Sequence, residues 1–298
     1  MKSKQPKPFD YVDRDRHPDN WRMVFTARDS RILEHIWEYD GYLADYQVKE
    51  LEFTGMRQAQ DRLGKLFHNG YLARTNRMGR ARFGTMVYWL TAKGAETVAG
   101  AKGVGLEGFK YLKTPRWAQV EHDLLTNSFT IILVKACVTN PEFFLFEWVN
   151  ESVFRADRDT VTYTNRNGKT LSRQIIPDRY FVIDRKGERD FRARLLMELD
   201  NSTHANKNFA DEKVLPGIAY LRSDVYQSRF GKKAGRWLVV TSSDIRLSYL
   251  KETTERAAGD DAKFFHFTTF NRVSVESVLE EPIWFKGGQK LPVSLFEL

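Results

Sequence analysis

The 298-residue sequence contains a single cysteine, Cys137. One cysteine cannot form an intrachain disulfide or a cysteine-based zinc cluster, so both kinds of stabilised fold are excluded. Long apolar runs are also missing, because no stretch reaches the roughly eighteen uninterrupted apolar residues of a membrane span. The lysine-rich start is not followed by the apolar segment of a secretory signal. We therefore expect a cytoplasmic protein that does not contact a membrane.

Acidic residues are fewer than basic ones, since 39 Asp and Glu stand against 47 Lys and Arg, a formal net charge of +8. Such an excess favours an acidic partner once the charges are located on particular elements. Hydrophobic residues make up 42% and charged residues 29% of the chain, which is typical of globular proteins and excludes a disordered one. The length predicts two domains.

The first hundred residues predict an arm followed by a small domain. Residues 1–22 are polar and contain three prolines, which predicts an N-terminal arm. The spacing of Thr26 and Asp29 is that of a capping box with Asp in place of Glu, so a first helix is predicted to begin there. Apolar periodicity and turn residues then predict helices at 45–53 and 56–69, strands at 71–74 and 86–90, and a helix at 92–99. This order indicates a winged helix-turn-helix domain over 23–100.

Basic residues are concentrated in the third helix and in the hairpin, whose tip contains Gly79. Between Arg57 and Arg82 seven basic residues stand against the single acid Asp61, a local charge of +6. Arginine and lysine reach guanine edges or phosphates, and glutamine pairs with adenine. The predicted DNA contacts are Arg57, Gln58, Arg62 and Lys65 on the helix and Arg74, Arg77, Arg80 and Arg82 on the hairpin. We expect binding to double-stranded DNA without a cofactor; a solvated charged face and a protein-docking module are the alternatives.

A second domain is predicted after four closely spaced glycines. Gly100, Gly103, Gly105 and Gly108 indicate a flexible linker, which we place at 101–117. The domain at 118–298 begins with a long helix. Strands are predicted at 143–149, 179–183, 194–199, 236–240 and 264–269, with a helix at 205–221. Helices mixed with apolar strands predict an α/β domain with a central mixed sheet.

Three carboxylates lie at the ends of two of these strands. Asp178 opens one strand, and Glu198 and Asp200, two residues apart, point to the same face of the next. If the two strands are neighbours, the three side chains converge and offer oxygen ligands for Mg²⁺. Such a cation activates water and stabilises charge on a phosphate. The alternative is that these acids cap turns or pair with arginines, as acids at strand ends commonly do.

The pattern resembles the PD-(D/E)xK nuclease superfamily, with Pro177-Asp178 as its PD. Glu198-Leu199-Asp200 stands where the superfamily has (D/E)xK, so an aspartate replaces the usual lysine. Some members carry that lysine on the following helix, and the resemblance therefore implies Lys213, with Lys207 as a second candidate. Glu121 or Glu151 is a further candidate carboxylate.

The order of motifs along 24–298 resembles the replication-relaxation family of plasmids and integrative elements. The motifs are Thr26-x-x-Asp29-x-x-Ile32-Leu33, Tyr71-Leu72, Tyr88-Trp89-Leu90-Thr91-x-x-Gly94, His122-x-Leu124, Pro177-Asp178-x-Tyr180, Glu198-x-Asp200-x-Ser202-Thr203, Lys213 with Tyr220, and Pro282-Ile283-Trp284. Asn201-Ser202-Thr203 departs from the Arg-Gly-Thr that more often follows the acidic pair.

This resemblance implies a winged helix followed by a nuclease-like domain, acting in the control of plasmid replication or maintenance. Replication or transfer proteins of the same element are the partners it implies. The first hypothesis is a DNA-binding factor whose nuclease-like domain is non-catalytic. The second is an Mg²⁺-dependent DNA endonuclease with Asp178, Glu198 and Asp200 as metal ligands and Lys213 beside the phosphate. The third is a transcriptional repressor that forms a homodimer through its second domain.

Overall fold

The computed structural model describes residue 9 and the ranges 16–186, 191–201 and 208–297. These residues form a mixed α/β structure, as predicted, with ten α-helices and a mixed six-stranded sheet. The chain divides into two units, residues 1–131 (unit 1) and residues 132–298 (unit 2). The domain boundaries at 22, 100 and 117 stay predictions.

Unit 1 alternates short helices with three short strands. The strands form an antiparallel sheet in the order β1-β3-β2. The elements are α1 (Ala27–Glu38), β1 (Tyr42–Ala44), α2 (Asp45–Glu52), α3 (Met56–His68), β2 (Leu72–Arg74), α4 (Arg77–Phe83), β3 (Val87–Leu90) and α5 (Ala92–Ala101).

Helix α1 begins where the capping box was predicted. The Thr26 backbone N–H donates to Asp29 Oδ2 at 2.7 Å, which satisfies one of the amides that a helix start leaves without an intrahelical partner. Ile32, Leu33 and Ile36 of the same helix are buried. The cap and the apolar spacing therefore place α1 as expected from sequence alone.

The predicted hairpin tip is wrong, because a helix stands between the two strands. Helix α4 is capped by Asn76, whose side chain accepts a hydrogen bond from the Gly79 N–H at 2.9 Å, and it ends at Gly84 with φ 68°. Gly79 is buried, and a Cβ there would lie 2.8 Å from Thr75 Cβ. This glycine therefore permits close packing and does not form a turn.

The glycine-rich stretch 101–117 packs against the rest of unit 1. The Phe109 ring stacks on Trp37 with centroids 5.2 Å apart, and Trp37 Nε1 donates to the Lys110 carbonyl at 2.9 Å. Trp117 packs against the core cluster that contains Tyr42 and Trp89. These contacts hold the segment against the rest of unit 1. The prediction of a flexible linker did not include them.

The described part of the N-terminal arm also has contacts in unit 1. A 3₁₀ turn spans Pro18–Trp21, and the Trp21 ring stacks on His68 at 4.8 Å. Phe9 contacts Phe83 edge to face at 5.5 Å. Residues 1–8 and 10–15 lie outside the described residues.

Unit 2 is built on a mixed sheet in the order β11-β10-β9-β8-β7-β4. Strands β8, β9 and β10 are mutually parallel and the other neighbours antiparallel. The elements are α6 (Val120–Thr139, which begins in unit 1), β4 (Phe143–Asn150), α7 (Glu151–Ala156), a β5–β6 hairpin (Asp159–Thr164 and Thr170–Ile175), β7 (Arg179–Arg185), β8 (Phe191–Asp200), α8 (Leu215–Arg222), α9 (Asp224–Phe230), β9 (Arg236–Thr241), α10 (Asp244–Ala258), β10 (Phe265–Thr269) and β11 (Phe285–Lys286).

One face of this sheet carries a large part of the unit 2 core. Tyr180 and Val182 of β7 and Leu196 of β8 pack there with Ile218 and Tyr220 of α8. We call it the α8 face. Since side chains alternate along a strand, Asp178 and Glu198 belong to the same face. The apolar core thus fixes the direction in which both candidate carboxylates point.

Candidate functional site

The predicted DNA contacts that the structure leaves exposed lie on two helices of unit 1. Arg57 and Gln58 are exposed in the first turn of α3, and Arg77 and Arg80 are exposed on α4. Within the part of the chain that the structure describes, Arg57, Arg77 and Arg80 make no ion pair. Arg82, also on α4, lies 3.1 Å from Glu121. Arginines without an acidic partner keep their charge available to an external anion.

The buried Asp45 is hydrogen-bonded to residues of or near both helices. Gln60 Nε2, one turn after Arg57 on α3, donates to Asp45 Oδ2 at 2.9 Å. The Thr85 hydroxyl, two residues after the end of α4, donates to Asp45 Oδ1 at 2.6 Å. One carboxylate therefore bonds to α3 and to the segment that follows α4.

Arg62 of α3 is not one of the exposed arginines, and the prediction that it faces outward is wrong. Its Nε donates to Asp29 Oδ1 at 2.5 Å and its Nη2 to Asp29 Oδ2, so that its side chain is only 19% exposed. Burial raises the pKa of Asp29, but hydrogen bonds from Arg62 and Thr26 outweigh this effect and lower it. The guanidinium is used within the fold because Asp29 is buried and needs a partner.

Lys65 and Arg74 are less exposed than predicted. Both side chains are half-buried, and the Arg74 guanidinium lies over the Phe67 ring at 4.0 Å. Of the eight predicted DNA contacts, the structure therefore leaves five exposed: Arg57, Gln58, Arg77, Arg80 and Arg82.

In unit 2, Asp178 and Glu198 lie side by side on the α8 face. The β7–β8 register pairs Arg179 with Met197, so the next pair outward is Asp178 with Glu198. Asp178 is buried, and its Oδ2 accepts a hydrogen bond from the Leu199 N–H at 2.7 Å. Both carboxylates line a pocket of about 230 Å³, which we call the acidic pocket.

Lys213 reaches the same pocket from a π-helical turn at Ala210–Val214. Its Nζ lies 2.5 Å from Glu198 Oε1. Burial lowers the pKa of Lys213, but the Glu198 and Asp178 carboxylates more than offset this effect and raise it above its ordinary value. The lysine is therefore charged at neutral pH, beside the two acids that the sequence singled out.

The π turn follows from the proline after it. Pro216 has no N–H to donate to the carbonyl four residues earlier, so the α-helical bonding pattern is interrupted there. The Leu215 N–H instead bonds to the Ala210 carbonyl, five residues back. This wider turn was not predicted, although Pro216 was the signal for it.

Asp200 does not join the acidic pocket, and the prediction that it converges with Asp178 and Glu198 is wrong. Its Oδ2 accepts from Arg246 Nε at 2.6 Å and its Oδ1 from Arg246 Nη2 at 3.0 Å. It also lies at the end of β8, where it pairs with Thr241 of β9. The arginine of α10 binds this carboxylate within the fold, so Asp200 is removed from both the catalytic and the metal assignments.

Several further charged residues line the acidic pocket. Glu151, which the sequence offered as an extra carboxylate, is bonded to Arg155 at 2.6 Å. Glu212 and Arg173 were not foreseen; they lie 4.0 Å apart, and Arg173 comes from the unpredicted β5–β6 hairpin. Lys207, Ser202 and Thr203 lie outside the described residues.

The described residues contain no group of three or more His, Cys, Asp or Glu side chains arranged to hold a metal ion. The predicted trio is therefore reduced to Asp178 and Glu198. Two carboxylates suit Mg²⁺, which keeps several waters and takes further ligands from a substrate phosphate. Two carboxylates alone do not suit a cation that must be coordinated entirely by protein ligands.

Among the described helices, none combines the length and the apolar character that crossing a membrane requires.

Comparison with known proteins identifies a family. The family model described as replication-relaxation matches residues 33–232, about two thirds of the chain. No curated protein and no solved structure matches. The matched range includes α3, α4 and the charged residues that line the acidic pocket, and the chain belongs to the replication-relaxation family.

Proposed function

We propose that this protein binds double-stranded DNA of a plasmid or other mobile element and acts in the control of its replication or maintenance. The observation that carries the proposal is the exposure of Arg57, Gln58, Arg77 and Arg80 on two helical segments that are both bonded to Asp45 through Gln60 and Thr85. Membership of the replication-relaxation family supports the process, and replication or transfer proteins of the same element are the partners we propose.

The order of elements in unit 1 supports a winged-helix mode of binding. Helix, strand, two helices and two further strands is the arrangement of that fold, and here α4 stands between β2 and β3 while β1 lies at the edge of the sheet. In this mode α3 is the recognition helix, and its N-terminal residues Arg57 and Gln58 contact base edges. Arg77 and Arg80 of α4 then contact phosphates beside the groove.

Replacing Arg57 or Arg80 with alanine is expected to weaken duplex binding. Removing a phosphate contact lowers the slope of log affinity against log salt by about one, and removing a base contact costs roughly tenfold or more in affinity. Fluorescence anisotropy of a labelled 30-bp duplex over a series of salt concentrations measures both effects.

Arg28→Ala is the matched control, since Arg28 is an exposed arginine of α1 whose guanidinium lies over the Phe53 ring at 5.0 Å and which is not one of the predicted DNA contacts. Its affinity is expected to stay within twofold of the parent. Equal affinity in the parent and in both Arg57→Ala and Arg80→Ala would move the DNA-binding surface elsewhere.

A second candidate function is that of a DNA endonuclease. The observation that favours it is the meeting of Asp178, Glu198 and Lys213 in the acidic pocket. Asp178 and Glu198 would hold Mg²⁺, which activates water and stabilises charge on the phosphate. A hydrogen bond from the Leu199 N–H positions the Asp178 carboxylate. The ammonium group of Lys213 would stabilise the negative charge on a phosphate oxygen bound in the pocket.

Incubation of supercoiled plasmid with Mg²⁺ or Mn²⁺ tests this candidate. Nicking by the parent is expected to disappear in Asp178→Ala and in Glu198→Ala and to fall at least about a hundredfold in Lys213→Ala, because each removes one element of charge stabilisation. Asp224→Ala, which removes an exposed carboxylate on α9, is the control and keeps full activity. Nicking that survives both carboxylate replacements would contradict the assignment, and a parent that never nicks would leave DNA binding as the function.

A further inference from the structure

Two large aromatic side chains are exposed on the edge strand of the unit 2 sheet. Phe144 is 54% and Phe146 55% exposed on β4. The register shifts between Leu145 and Glu147, which leaves Phe146 as the extra residue of a bulge. Exposed phenylalanines on a sheet edge carry an aggregation risk, so their presence calls for a partner.

Basic residues surround these two rings. The Arg192 guanidinium lies 4.3 Å from the Phe146 ring centroid and is held by two hydrogen bonds of 2.6 Å to Asp184. Arg194, two residues further along β8, has no ion-pair partner among the described residues. Together these exposed or half-buried aromatic and basic side chains form what we call the β4 strip, made of Phe144, Phe146, Arg185, Lys186, Arg192 and Arg194.

Two hollows meet at Arg192. One, of about 280 Å³, is lined by Phe144, Arg185 and Lys186. The other, of about 320 Å³, is lined by Phe146 and Arg194. Each hollow therefore offers an aromatic face together with positive charge, and they follow one another along the strip. Among the described residues, the four bases of the strip stand beside three acids, Asp184, Glu147 and Glu142, the last of which lies 3.6 Å from Arg185.

We propose that the β4 strip binds single-stranded DNA. Exposed aromatic rings stack on bases whatever their identity, while arginine and lysine follow the phosphates. A duplex fits less well, because its bases are already stacked on one another and do not present their faces. The inference goes beyond the proposed function, since it concerns a different unit and a different form of DNA.

The strip and the acidic pocket lie on the same face of β8. Arg194 and Glu198 are four residues and therefore about 13 Å apart, with the buried Leu196 between them. Helix α7 borders both sites, since Val153 lines the hollow at Phe146 and Glu151 lines the acidic pocket. The single-strand proposal therefore concerns the strip alone.

Anisotropy of the full chain with labelled dT20 tests the proposal. The variant Phe144→Ala/Phe146→Ala is expected to bind dT20 at least about tenfold more weakly, since stacking on each ring is lost. Arg194→Ala is expected to weaken dT20 binding several-fold, with a smaller salt dependence. The affinity of both variants for a 20-bp duplex is expected to stay within twofold of the parent. Val138→Ala, which alters an exposed apolar side chain of α6, is the matched control.

A 20-mer of abasic deoxyribose phosphate separates stacking from charge. The parent is expected to bind it much more weakly than dT20, and the double phenylalanine variant to bind it as the parent does. Unchanged dT20 affinity in the phenylalanine variant, or equal affinity of the parent for the abasic strand, would overturn the proposal. Loss of duplex binding in Arg57→Ala reports on unit 1 alone, so failure of either DNA site is recognised separately.

Discussion

Replacing Arg62 with alanine is expected to lower the free energy of unfolding by about 3 kcal/mol, because the replacement leaves the Asp29 carboxylate buried without its cation. Asp29 is fully buried and accepts two hydrogen bonds from Arg62, one of them of 2.5 Å. Urea unfolding at pH 7, followed by tryptophan fluorescence, measures the change.

Arg57→Ala is the matched control for this loss, since Arg57 is an exposed arginine on the same helix without an ion pair among the described residues. Its unfolding free energy is expected to stay within about 0.5 kcal/mol of the parent. Asp29→Asn/Arg62→Met is expected to recover part of the loss, because no buried charge remains. An Arg62→Ala protein as stable as the parent would show that the pair contributes nothing.

His266 is expected to make the protein acid-sensitive. Its side chain is 1% exposed on β10, and neither ring nitrogen has a hydrogen-bond partner among the described residues. Burial lowers the pKa of His266 to about 3, and Arg236 and Lys286 on the neighbouring strands contribute to that decrease. The folded protein therefore holds this imidazole neutral.

The folded pKa lies below the unfolded value of about 6.5, so the stabilising contribution is complete above pH 6.5 and is lost as the pH falls towards 3. Between pH 7 and pH 4 the loss from this residue is about 3 kcal/mol. His266→Leu removes the titrating group and is expected to reduce the difference in unfolding free energy between these pH values by that amount.

Phe267→Leu is the control for this comparison, since it alters the neighbouring buried side chain of β10 and removes no titrating group. It is expected to leave the difference between pH 7 and pH 4 unchanged. A His266→Leu protein with the acid sensitivity of the parent would show that other groups account for it. His68, whose pKa burial lowers to about 4, contributes in the same direction and is present in all three proteins.

Local signals in the sequence predicted much of the fold. The Thr26–Asp29 cap and the apolar spacing after it specify α1 without any distant contact. The long β7 and β8 strands are also visible in the sequence, because each is an apolar run that the core requires. These features depend on residues near one another in the chain.

The errors come from contacts between distant residues. Strand alternation places Glu198 and Asp200 on one face, but it does not reveal that Arg246, 46 residues later, pairs with Asp200. In the same way, the charge of Arg62 was counted as exposed because the sequence does not show that Asp29 is buried beside it. The charge pattern gives the number of basic residues and not their partners.

The unpredicted elements are short or have mixed signals. Helix α4 contains Gly79 and lies between two strands, so its residues were assigned to a hairpin tip. The β5–β6 hairpin alternates threonines with only a few apolar residues, yet it contributes Arg173 to the acidic pocket. Its turn residue Gly168, with φ 75°, was the signal that could have located it.

The π turn at Ala210–Val214 makes the length of this segment matter as much as its composition. Each residue of an α-helix advances the side chains by about 100° around the axis. Deleting one residue between Lys213 and Pro216 would therefore rotate Lys213 and the residues before it relative to α8. The ammonium group of residue 213 would then swing away from its carboxylate partner on β8. A shortened segment with every polar residue intact would thus lose the Lys213–Glu198 pairing through helical phase alone.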